Sequence, residues 1–284
     1  MNEIKGLTTM AVLADLTLSK WEGTKVDKET NREIMKTKDA DESRGRFSKK
    51  LMTEVAPLAY IQRAMYSEYE KLTAVWEKGK KILPVINIDK LEKIEREYVQ
   101  KLEDALEAFR PHYDEYVNVN AKRELGKLWN KDDYLSFEEF KSKWRIRLEF
   151  FPIPESGHFV IDANKRLMNE VKGRLDEAIK ERYEGIVSDL WNKLYKTTKK
   201  LVERLETDTI RFREDREVME SLREMIDILP TLNMTNDKEL TDMIDVLKKK
   251  IAPIKDTDLR KDPVKTKTAK EVKKLLDKMA DYVA

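Results

Sequence analysis

Apolar and polar positions alternate along the first stretch of the chain. Met10, Val12, Ala14, Leu16 and Leu18 fall at period two with Asp15, Thr17 and Ser19 between them, which predicts a half-buried strand over residues 10–21. Gly23 ends it, and Asp27 is placed to cap a short polar helix running through Met35. Residues 36–46 have no periodicity and read as a loop. From Phe47 the period changes to three or four: Leu51, Val55, Leu58, Ile61, Met65, Tyr69, Leu72, Val75 and Trp76 predict a long helix, with Pro57 marking a kink or its true start. Gly79 and Pro84 stop it. An extended connector over residues 82–88 then leads to a second helix, capped by Asp89, with Leu91, Ile94, Tyr98, Leu102, Ala105 and Phe109 on one face. These two helices predict an antiparallel hairpin. Pro111 breaks or kinks the second arm, and Ser136 with Glu139 forms a capping box for a short helix ending near Lys143.

The run KWRIRLEFFPIPESGHFVID, residues 143–162, stands apart. Its alternation predicts a strand over 144–150, a connection through Pro152, Pro154, Ser156 and Gly157, and a returning strand over 158–161. A lone hairpin is marginal in water, so the strand at 10–21 is its expected partner. Asp162 then caps the longest helix, lined by Met168, Val171, Leu175, Ile179, Tyr183, Ile186, Leu190, Leu194, Leu201 and Leu205. Their mean spacing is nearer 3.7 than 3.5, which favours bundle packing over a strict coiled coil. Residues 207–217 read as a break. Helices follow over 218–229, ended by Pro230, and from Asn236 or Asp237 to Ile251. Pro253 and Pro263 bracket a loop, and Thr268 opens a lysine-rich helix at the end.

The fold class is therefore mainly α: long antiparallel helices and helical hairpins with a small antiparallel β-sheet made of the N-terminal strand and the central hairpin. In segments, the chain divides into an N-terminal strand and short helix over 1–46, a helical hairpin over 47–128, a small β-hairpin and long helix over 129–206, and a C-terminal helical region over 207–284. Together these are expected to form one continuous elongated domain.

Composition narrows the chemistry. Charged residues are 39% of the 284, with only 8 glycines, a profile of long solvated helices. The 57 basic and 55 acidic side chains leave a net charge of +2, so no global charge favours nucleic acid or membrane. There is no cysteine, which excludes disulfides, thiolate metal sites and cysteine nucleophiles. No stretch approaches the ~20 apolar residues of a membrane span, and the start of the chain lacks a secretion signal, so a cytoplasmic protein without membrane contact is expected. The Asn233-Met234-Thr235 acceptor triplet is read as chance on the same ground.

Candidate catalytic groups are sparse. His112 and His158 have no partner that the sequence names, and the segment Asn130-Lys131-Asp132-Asp133-Tyr134 lacks the glycine and alternating oxygens of a calcium loop. No phosphate-binding, dinucleotide, nucleophile-elbow or zinc-protease motif occurs. No cofactor, no metal and no enzyme activity are expected; a carboxylate site assembled from distant segments is the enzymatic alternative. Basic clusters are the remaining signal: Arg44, Arg46, Lys49 and Lys50 around Phe47; Lys78, Lys80 and Lys81 at the hairpin tip; and Lys265, Lys267, Lys270, Lys273 and Lys274 near the end. Each has the chemistry to contact phosphates, while the bland reading is a solvated face. Trp21, Trp129 and Trp191 are candidate interface anchors, with core the better reading for Trp191.

The run SLREMIDILPTLNMTNDKELTDMIDVL followed by DLRKD resembles a domain family of unknown function found largely in bacteriophage genomes. Leu229, Pro230, Leu232, Asn233 and Leu240 occupy the positions that carry the likeness, and LADLTLSKWEGTKVD, the central hairpin and RLEFFPIP are similar to the same family, so the resemblance spans nearly the whole chain. It implies a phage accessory protein, some of whose relatives are encoded beside MoxR-like AAA+ ATPases and von Willebrand A-domain proteins. That neighbourhood implies an adaptor in the host cytoplasm whose energy comes from the partner. It assigns no functional residue. The expectation is a non-enzymatic interaction protein acting on a host or phage protein complex, with homo-oligomerisation left open; the alternative is a nucleic-acid-binding protein using the clusters above.

Overall fold

A computed structural model describes residues 7–77, 79–154, 165–207, 212–255, 257–260 and 262–283. The chain is mainly α-helical with a small antiparallel sheet, as its periodicities predict. Strand β1 (Ala11–Ser19) is followed by β2 (Thr24–Val26), helix α1 (Lys28–Thr37), β3 (Ser48–Lys50) and α2 (Ala56–Leu72). Strands β4 (Ala74–Glu77) and β5 (Lys80–Pro84) precede α3 (Ile88–Glu115), α4 (Ala121–Leu125), α5 (Phe137–Ser142) and β6 (Arg145–Phe151). The remainder is α6 (Lys165–Glu206), α7 (Phe212–Leu232), α8 (Lys238–Lys250) and α9 (Asp262–Met279).

The described sheet has the order β4-β5-β1-β6, so β1 lies between β5 and the first strand of the apolar island. Ala11 pairs with Pro84 and Leu13 with Ile82, antiparallel. The returning strand expected over 158–161, His158 and the Asp162 cap lie outside the described residues. The sequence reading missed β4 and β5. Val75 and Trp76 satisfy helical spacing, yet the burial of residues 74–77 alternates, with Ala74 and Trp76 in and Val75 and Glu77 out. Gly79, at φ +87°, supplies the left-handed turn that sends the chain back as β5. The expected helical hairpin is thus interrupted by a β-hairpin, and its first arm is shorter than predicted: residues 48–50 pair with β2, and α2 starts at Ala56 with Pro57 in its first turn.

Prolines and caps shift other boundaries. Pro111 does not end α3, which continues to Glu115 and into a wider π-helical turn over Tyr116–Asn120. Pro230 sits in the last turn of α7, two residues before its end. The break expected over 207–217 is helical from Phe212 onward, and Thr268 does not open α9 but lies buried inside it. The Ser136–Glu139 capping box forms as predicted, and Asp27 and Asp237 accept from the Thr30 and Leu240 amides at 2.9 and 2.6 Å.

The chain divides into two compact units. The first comprises residues 1–15, 69–91 and 149–284. Its core joins Leu13, Trp76 and Ile82 of the sheet to Ile186, Leu190, Trp191 and Leu194 of α6, Leu222 and Leu229 of α7, Leu240 and Leu247 of α8, and Val272 and Met279 of α9. Trp191 is core, stacked on Tyr282 at 4.3 Å. The second unit comprises residues 16–68 and 92–148 and centres on Phe140. Tyr113, Trp21 and Phe109 surround that ring at 4.6, 5.5 and 5.9 Å. Trp21 is therefore packed inside its unit, and Trp129 donates its indole N–H to the Val117 carbonyl at 3.1 Å, so neither is a free anchor.

Candidate functional site

The sequence-predicted cations separate into groups with different work. Lys49 is 7% exposed; its ammonium forms ion pairs with Asp27 Oδ2 at 3.1 Å and Asp133 Oδ2 at 2.5 Å and donates to the Leu128 carbonyl at 2.7 Å. Lys25 takes the other oxygen of Asp133 at 2.6 Å. Burial opposes charge on Asp133, but the hydrogen bonds from Lys25 and Lys49 outweigh it and hold the carboxyl below its usual range. This network ties the β2–β3 ribbon to the 130–134 segment, so Lys49 is corrected from a phosphate contact to an internal strut. The same contacts explain the acidic run once compared with a calcium loop. Among the described residues, no group of His, Asp or Glu gathers in a way that would hold a metal ion.

Lys81 pairs with Glu70 at 2.5 Å, and Lys80 lies 5.0 Å over the Phe151 ring. Lys78 lies outside the described residues. Lys265 donates to the Thr207 carbonyl at 2.5 Å and Lys273 to Glu206 at 2.9 Å, binding α9 to the end of α6. Arg44, Arg46 and Lys50 are exposed, as are Lys267, Lys270 and Lys274. Only the last three form a continuous set on one element.

One buried amine resembles a catalytic group at first sight. Lys193 on α6 is pushed down from its ordinary pKa by burial, against the pull of Asp189 at 3.2 Å. Its donors are nevertheless engaged: it bonds the Glu70 carbonyl at 2.9 Å and the Thr73 carbonyl, both at the C-terminal end of α2. Asp189 meanwhile accepts from the Val75 amide at 3.0 Å. The pair satisfies the carbonyls a helix leaves open and starts β4, a structural task.

The second unit carries an open depression of about 520 Å³ that the sequence reading did not single out. Helix α2 turns Leu58, Gln62, Met65 and Tyr69 inward. Gln62 bonds the Ser19 and Arg145 carbonyls at 2.6 and 3.1 Å and fixes the helix rotation. The opposite face presents Tyr60, Arg63 and Ser67, and Tyr98 of α3 completes the lining with Ala64 and Glu68. Tyr60 is 69% exposed, Tyr66 on the same helix is half exposed, and Lys101 lies 4.5 Å over the Tyr98 ring. The available signal was an aromatic and an arginine at i, i+3 on the polar face of a helix whose apolar stripe was already complete.

No described helix is long and apolar enough to cross a membrane. No family model matches the chain, and neither a curated protein nor a solved structure does.

Proposed function

We propose that this protein is a non-enzymatic interaction protein that docks on a host or phage protein complex through the Tyr60–Arg63–Tyr98 depression. The observation that carries the reading is the composition of that surface. Tyrosine and arginine are the side chains that anchor protein interfaces, because each offers a large flat contact area together with hydrogen-bonding or charged tips. Here they line an open hollow on a helix whose rotation is fixed from behind by Gln62. The partner segment would lay an apolar side chain across the tyrosine rings and present a carboxylate to Arg63. The resemblance to the phage family points to an AAA+ ATPase complex in the host cytoplasm as that partner. Lys49 and Lys193, whose buried positions would suit proton chemistry, support the reading through their engagement in structural contacts.

The test is affinity capture from host lysate, followed by calorimetric titration of the purified partner against native protein, Tyr60→Ala and Arg63→Ala. Anchor truncation weakens binding by at least about tenfold per residue. A captured partner that binds both variants as tightly as native protein, or turnover abolished by a single substitution, overturns the proposal.

A further inference from the structure

The last helix of the first unit carries a charge pattern that the groove reading does not use. On α9, Lys267, Lys270, Lys274 and Lys278 fall within about 80° of helix circumference over about 16 Å of length. All four side chains are exposed. The opposite face of the helix is occupied: Val272, Leu275 and Met279 are buried in the core with α6. The rotation of α9 is therefore set by packing, and the lysine row must face water. Its register is held further by the Lys273–Glu206 and Lys265–Thr207 contacts on one flank. On the other flank, Lys250 pairs with Glu271 at 3.2 Å, which brings the Lys248-Lys249-Lys250 end of α8 alongside. Glu271 and Asp277 border the row, each about 20° beyond one of its edges, with Glu271 engaged by Lys250 and Asp277 acting on Lys273. Pro263 and Thr266 extend the row into a shallow hollow shared with Lys267 and Lys270.

We infer that this lysine row is a docking surface for the phosphate backbone of a nucleic-acid duplex, contacted without regard to sequence. Three features select that occupant. A protein partner needs apolar or aromatic anchors at the centre of its contact, and no large apolar side chain of α9 is among the exposed ones. A membrane would need the apolar face of α9, which the core already holds. Single strands are gripped by stacking on aromatic rings, and α9 has none. What remains is a row of point charges on a straight rod, the chemistry that neutralises successive phosphates and releases their counterions. The small net charge of the whole chain does not bear on this, because the field is local to one helix face.

The test is fluorescence anisotropy of the full chain with a labelled random-sequence duplex across a salt series. The logarithm of the association constant should fall against the logarithm of salt with a slope of about −3 to −4, the value for four phosphate contacts. Replacing Lys267, Lys270, Lys274 and Lys278 with Gln should abolish that slope and weaken binding at least tenfold. A control with Lys36, Lys38, Lys93 and Lys127 changed to Gln carries the same charge change and should bind like native protein. All eight positions are exposed, and circular dichroism confirms that each variant folds. No duplex binding at low salt, equal loss in both variants, or equal affinity for polyglutamate would each overturn the inference. None of these outcomes depends on the Tyr60 groove.

Discussion

Three acceptors converge on Lys49, and two of them are carboxylates with depressed pKa values. Asp27 is lowered chiefly by the Thr30 amide it caps, and Asp133 by the two lysines that overcome its burial. A carboxylate whose pKa is lower folded than unfolded contributes stability above the ordinary value near ~4 and loses it as pH falls through the folded value. Asp133→Asn should therefore cost about 3 kcal/mol at neutral pH, since it leaves a buried ammonium short of one partner. The difference from native protein should shrink below about pH 4, as native Asp133 itself becomes neutral. Urea unfolding at a series of pH values measures both effects, and a pH-independent difference would refute the assignment. A single sequence cannot show this network, because Asp27, Lys49 and Asp133 are far apart along it and meet only when the ribbon and the 130–134 turn pack together.

Between α7 and α8, one side chain organises the turn. Asn233 donates to the Asp237 carbonyl at 2.9 Å and to Thr241 Oγ1 at 3.0 Å, while its oxygen accepts from the Asp237 amide at 2.9 Å and from Thr235 Oγ1 at 3.1 Å. Leu229, Leu232 and Leu240 on either side are fully buried. Leu229, Leu232, Asn233 and Leu240 thus have a local structural role: two helix ends, a core contact on each, and an amide that locks the angle between them. Asn233→Ala should lower stability by about 2 kcal/mol, through four lost hydrogen bonds of which part is regained from water. Hydrogen exchange should rise first at the start of α8. A substitution with no effect on stability would show that the cap at Asp237 suffices alone. The same element level accounts for the boundary errors at Pro111 and Pro230, where neighbouring turns continued a helix that the proline alone would have ended.

At the scale of the molecule, α6 packs against α7, α9 and strand β4 in the first unit. Leu194, without exposed surface, sits among buried residues of α7, α8 and α9, and Leu194→Ala should cost about 2–5 kcal/mol through the cavity it leaves. Guanidinium unfolding followed by Trp fluorescence measures it; a cost below about 1 kcal/mol would mean that the site collapses around the truncation. The length of α6, its polar surface and its apolar stripe were readable from periodicity alone. So were the helical class, the strand predicted at 10–21 and found at 11–19, and the caps at Asp27, Ser136 and Asp237, because each depends on residues within one or two turns of each other. That strand's adjacency to the island strand followed instead from the need of a lone hairpin for a further strand.

Tertiary structure decided the rest. Residues 74–77 have apolar positions that fit a helix and a strand equally, and the choice fell to Lys193 and Asp189, more than a hundred residues away, which engage the chain between Glu70 and Val75. Which lysines remain open to a ligand was equally beyond the sequence. Lys49 and Lys270 are alike as letters, and only packing buries one between two aspartates and turns the other to water. Local pattern fixes which face of an element is apolar, because that information is periodic and short in range. What each polar face meets depends on contacts between distant segments, and those form only in the folded chain.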